Sequence, residues 1–173
     1  MKRSAYFIVS LVCVGLVGVP TAMAHKGPPP VELHVDGANE SLGSHTYSWT
    51  SSGGGGTCSV IHADGIPSYK PDASVDSLHS RPRIYFLRNQ RPRVEGFRAY
   101  SQLDDHRPTG PSERVDSRLS RVRRDGEVVA WKLRFRTEVV DERYFDLDVS
   151  FVRKNRRCGD FGEASYAFGL ERE

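Results

Sequence analysis

The sequence predicts an all-β, antiparallel fold of about eight short strands, a sandwich or a barrel, and two observations carry that expectation. Apolar and polar residues alternate with period two in several separate stretches, most strictly where Val129, Trp131, Leu133 and Phe135 interleave with Lys132, Arg134 and Arg136. Clusters of Gly, Pro and Asp punctuate those stretches, as the turns of an antiparallel sandwich or barrel do.

Taken in order, Val31-Glu32-Leu33-His34-Val35 reads as a half-buried strand with His34 toward solvent, ended by Asp36-Gly37. His45 to Thr50 reads as a second strand carrying Tyr47 and Trp49 on one face, before a flexible loop of Ser51, Ser52 and the glycines 53 to 56. Cys58 to His62 is extended until Ala63-Asp64-Gly65-Ile66-Pro67 breaks it. Residues 67 to 82, rich in Pro, Ser and Asp without a sustained period, are expected to form a long surface connection.

The motif R-P-R-[IV]-x-x-[LF]-R then occurs twice, at Arg81 to Arg88 and at Arg91 to Arg98. The copies are too close for a repeat architecture and suit two successive strands joined by Asn89-Gln90, each opened by a proline of the kind edge strands tolerate. A polar loop follows around Asp104-Asp105-His106. Pro111 to Ser120 is ambiguous, since Val115, Leu119 and Val122 also fit a helical spacing.

Arg118 to Phe135 is the clearest hairpin, because Asp125-Gly126 suits a two-residue turn whose central residues both need positive φ. Phe145, Leu147, Val149 and Phe151 alternate with Asp146, Asp148 and Ser150, and Tyr166, Phe168 and Leu170 close the chain in the same way. The pattern predicts a core of Leu33, Trp49, Ile84 or Tyr85, Phe97, Trp131, Leu133, Phe135, Phe145, Leu147, Val149 and Phe168.

Residues 1 to 24 read as a secretory signal peptide. Lys2 and Arg3 give the positive start, Phe7 to Val19 the apolar run, and Ala22-Met23-Ala24 the cleavage signal. The run of about 13 residues falls short of the ~20 a membrane span needs. Cys13 sits inside it, followed by Val14, Gly15 and Leu16, and not at a lipid-attachment position. Cleavage after Ala24 would leave a proline-rich leader at 25 to 30 and one domain at 31 to 173, secreted or held at the cell envelope. Cys58 and Cys158 would then be an even pair in an oxidising compartment, expected as one disulfide. Closing a loop of about 100 residues stabilises by roughly 4 to 5 kcal/mol in the chain-entropy model. Two free thiols or half of a metal site are the other readings, although no CxxC or Cys/His spacing supports zinc.

Charge is unevenly spread. Residues 25 to 80 carry a net of −4 and residues 137 to 173 a net of −3, whereas residues 81 to 136 hold fourteen arginines and one lysine against seven acids, a net of +8. Arginine suits a binding role because its planar fork pairs bidentately with carboxylate, phosphate or sulfate. Arginine-rich codon usage and solvated pairing with acids such as Asp146 and Asp148 are the plain alternatives.

Val31 to Val35, His45-Thr46-Tyr47-Ser48-Trp49, Cys58, Ala63-Asp64-Gly65 and Glu163 to Leu170 together give the mature chain a further feature. In these short motifs it resembles a group of uncharacterised secreted or lipid-anchored bacterial proteins. Members tend to have Cys beside the early Trp where this chain has Ser48, so a local Cys-Cys bridge of theirs is lost here. The resemblance implies an immunoglobulin-like β-sandwich and no known chemistry.

No G-x-S-x-G elbow, P-loop or H-E-x-x-H is present, so no familiar hydrolase, nucleotide-enzyme or zinc-protease signature points to catalysis. The expectation is a non-enzymatic binding or scaffolding domain with no cofactor. Its candidate anion-binding residues are Arg81, Arg83, Arg88, Arg91, Arg93 and Arg98, joined by Arg121, Arg123 and Arg124 near the hairpin turn. Expected partners are an anionic cell-surface polymer, lipid headgroups or an acidic protein, and not nucleic acid. The alternative is copper binding by His25, whose α-amine and imidazole would share one residue after cleavage. Its second imidazole would come from His45, His62, His79 or His106, because the proline leader can hold His25 up to roughly 28 Å from His34.

Overall fold

The structure, a computed structural model, describes residues 27–52, 57–69, 71–105, 107–152 and 159–173. The signal-like segment, His25, the four glycines, His106 and Cys158 lie outside the described residues, so neither the Cys58 to Cys158 bond nor copper binding at His25 is described.

Sixteen strands and no helix occur among the described residues. The first eight are β1 (Val31–Val35), β2 (Ala38–Leu42), β3 (Ser44–Ser52), β4 (Cys58–Asp64), β5 (Pro71–Val75), β6 (His79–Ser80), β7 (Arg83–Phe86) and β8 (Pro92–Tyr100). They are followed by β9 (Gln102–Asp104), β10 (Arg107–Thr109), β11 (Glu113–Arg114), β12 (Ser117–Arg124), β13 (Glu127–Phe135), β14 (Thr137–Glu138), β15 (Glu142–Phe151) and β16 (Phe161–Arg172). One sheet runs β12-β13-β7-β1-β2; a larger one runs β11-β8-β15-β16-β3-β4, with β5 parallel to the second half of β16. The short pairs β9/β10 and β6/β14 complete the set. Among the described residues every pairing except β5 with β16 is antiparallel.

The two large sheets share one hydrophobic core. Leu33, Ile84, Phe86, Leu133 and Phe135 come to it from the smaller sheet, and Trp49, Phe97, Phe145, Leu147 and Phe168 from the larger. Rings meet between the sheets at Phe97 with Phe135 (4.8 Å), Phe135 with Phe145 (5.5 Å) and Phe86 with Phe151 (6.2 Å). Each such ring contributes on the order of 2 to 3 kcal/mol through area removed from water, with about 1 kcal/mol more from edge-to-face geometry. The core read from period-two patterning is buried throughout, and of Ile84 and Tyr85 it is Ile84 that points inward.

Several expectations need correction. The structure has sixteen strands where about eight were read, because elements such as β6, β9, β11 and β14 are too short to show a period. The two arginine-proline copies form β7 and β8, but these lie in different sheets, and β7 is central between β13 and β1. None of residues 87 to 91 has the positive φ that a tight hairpin turn requires, so the chain crosses between sheets there. Residues 67 to 82 are not a surface connection, since Val75 is fully buried and Asp72 accepts from the Gly169 amide at 3.1 Å where β5 joins β16. The ambiguity at Pro111 to Ser120 resolves to strand at Glu113–Arg114 and from Ser117 onward, with no helix. Asp36-Gly37 does more than end a strand: with φ of 44° and 91° it turns β1 into β2. Val129 leaves the buried face because β13 bulges there, Ala130 pairing with Val122 but Val128 with Arg123.

Candidate anion-binding face

Alternation in β13 sends Leu133 and Phe135 into the core and Lys132 and Arg134 outward, and β7 does the same with Ile84 inside and Arg83 and Tyr85 outside. Antiparallel register then aligns the outward residues across strands. Arg118 of β12 lies opposite Arg134 of β13, Arg134 opposite Arg83 of β7, and Arg83 opposite His34 of β1. Three arginines and a histidine thus form one transverse row at strand steps of about 4.8 Å. The next row reads Ser120, Lys132, Tyr85, Glu32 and Ser41.

Like charges directly opposite one another repel across a sheet. Neither Arg83, Arg118 nor Arg134 comes within 4.0 Å of a carboxylate among the described residues. Arg83, Arg118 and Arg134, near the ends of their strands, themselves line a cleft of about 1380 Å³ at the crossing from β11 to β12, which seven arginines and five acids line in all. Arg81 and Arg136 extend the positive side of that cleft. Of its acids, Glu113 is already engaged by the Arg143 guanidinium and Glu142 by the Tyr144 hydroxyl. Ala99, Val115, Phe135 and Val140 are its apolar lining.

The structure disperses the six arginines singled out by the sequence motif. Arg81 and Arg83 belong to this face. Arg88 is largely buried at the opposite end of the core, over the Trp49 ring at 5.3 Å and paired with Asp160 at 3.4 Å. Arg91 lies over Trp131 at 5.7 Å, where Arg121 covers the same ring at 5.6 Å. Arg93 pairs with Glu95 at 3.4 Å, and Arg98 stands opposite Asp146 on the outer side of the larger sheet. Arg123 donates to the Gly126 carbonyl at 2.5 Å and braces the hairpin turn. The motif missed Arg118 and Arg134, which only the strand order β12-β13-β7 brings beside Arg83.

The acids of the larger sheet are occupied locally. Asp146 accepts from the Tyr69 hydroxyl at 2.6 Å, and Asp148 from Ser165 at 2.6 Å. Burial, then this bond to Asp146, pushes the Tyr69 hydroxyl well above its ordinary range. Nearby His45 is held below its ordinary 6.5 by burial, against the opposing pull of Asp146, Asp148 and Asp64. Among the described residues no three His, Cys, Asp or Glu side chains approach closely enough to hold a metal ion. No helix there is long and apolar enough to cross a membrane.

No family model matches the chain, and neither does any curated protein or solved structure.

Proposed function

We propose that this chain is a secreted, non-catalytic domain at the cell envelope, an immunoglobulin-like β-sandwich with one Cys58 to Cys158 disulfide, that binds polyanions on the outer face of its smaller sheet. The observation that carries the reading is the row Arg118, Arg134, Arg83. Three arginines aligned on adjacent strands, without acid partners among the described residues, hold a repulsive arrangement that an anionic ligand relieves, and each fork grips carboxylate, sulfate or phosphate bidentately. The inter-sheet ring contacts of Phe135 and Phe86 support the sandwich reading. The even pair of cysteines in an oxidising compartment supports the disulfide.

Retention on immobilised heparin tests the reading. The protein should bind near 20 mM salt and elute steadily as ionic strength shortens the Debye length below about 8 Å. Flow-through at low salt, or retention indifferent to salt, would count against it.

A further inference from the structure

We infer that the polyanion is an acidic polysaccharide, a chain carrying carboxylate or sulfate groups together with free hydroxyls, an inference that rests on the polyanion reading above. Two adjacent rows of different chemistry carry it. The arginines of the first row supply charge and N–H donors. Beside it, half-buried Tyr85 presents a ring on the outer face, flanked by His34 with ring centroids 4.4 Å apart and by the Lys132 ammonium 6.0 Å from its centroid. Glu32 lies opposite Tyr85 on the neighbouring strand, and its Oε2 meets His34 Nε2 at 2.9 Å.

A carboxylate on β1, beside the strands that carry the arginines, repels a ligand that is charge alone. Polyphosphate, which offers nothing but charge, meets that repulsion in full. A sugar offsets it, because its hydroxyls donate to the free lone pairs of Glu32 while its C–H groups pack against the half-buried Tyr85 ring beside His34 and Lys132. Strand steps of about 4.8 Å also match roughly one monosaccharide per strand, so anionic substituents along a glycan can meet Arg83, Arg134 and Arg118 in succession. Protein partners fit poorly, since interfaces bury an apolar centre. The large exposed hydrophobics, Val60, Ile66, Leu87, Val129, Val140 and Val152, lie outside these two rows, with Val140 in the adjoining cleft.

The test compares affinities for polygalacturonate and for inorganic polyphosphate, measured by titration calorimetry on the secreted protein. The wild type should prefer polygalacturonate at equal charge density. Tyr85→Ala, with Tyr85→Leu as a bulkier control for folding, should lower polygalacturonate affinity about tenfold while leaving polyphosphate within about twofold. Glu32→Ala should raise polyphosphate affinity and reduce the preference for the glycan. Arg134→Ala should weaken both ligands. A wild type that prefers polyphosphate, or Tyr85 variants that lose both ligands equally or neither, overturns the glycan assignment while leaving the polyanion reading standing. Binding to neither polymer at low salt overturns both.

Discussion

Arg134 stands between Arg118 and Arg83 with a like charge on each side, so its native surroundings work against folding. Replacing it with threonine keeps β-propensity and removes both repulsions, and should stabilise the free protein by about 0.5 to 1 kcal/mol. The gain should shrink in high salt, where thermal unfolding at two ionic strengths will show it. His45 sets a second expectation at this scale. Its Nε2 is buried without a partner among the described residues and burial favours its neutral form, so the unfolded chain takes up a proton more readily than the native one. Its contribution to stability is therefore intact above pH 6.5 and lost as pH falls through the depressed native value. Urea midpoints for the wild type should fall across that window, and His45→Gln should flatten the fall.

Strands with an uninterrupted alternating face were legible in the sequence. The hairpin at Asp125-Gly126 folds as read, with φ of 51° and 85° at its two central residues. Trp49, Phe97 and Phe145 were recognisable as core because burial of one face imposes period two. β5 was not recognisable, since its order comes from distant partners: Val75 in the core and Asp72 on the Gly169 amide. β2 was hidden because Asn39, Glu40 and Ser41 face solvent at a sheet edge. β16 offers the sharpest test at the element scale. Gly162 opposes Trp49 of β3, and a Cβ there would lie 2.9 Å from the Trp49 Cα and press on the Ser48 carbonyl. Gly162→Ala must push β3 away and should cost at least about 1 to 3 kcal/mol in chemical denaturation, whereas alanine at exposed Gly43, with nothing near its Cβ, should cost far less.

The candidate site belongs to the whole molecule, which is why the sequence disclosed only part of it. Local density drew attention to the two arginine-proline copies, yet the chain crosses between sheets after β7 and separates Arg83 from Arg93 and Arg98. The row that does form joins Arg83 to residues far along the chain. Even within the hairpin, counting back from the Asp125-Gly126 turn pairs Arg118 with Leu133, and only the bulge at Val129 shifts it opposite Arg134. Sheet order and one bulge therefore turn scattered arginines into a charged face.

The most direct test of that face is the salt dependence of affinity for a labelled heparin fragment. It should be compared among the wild type, R83A/R118A/R134A, and a control of equal charge change, R93A/R107A/R172A. If the row is the binding surface, the first triple variant should lose about tenfold or more in affinity at low salt and show a shallower salt slope, while the control stays close to wild type. Equal losses in the two triple variants would contradict the account, because binding would then follow net charge and not the aligned row.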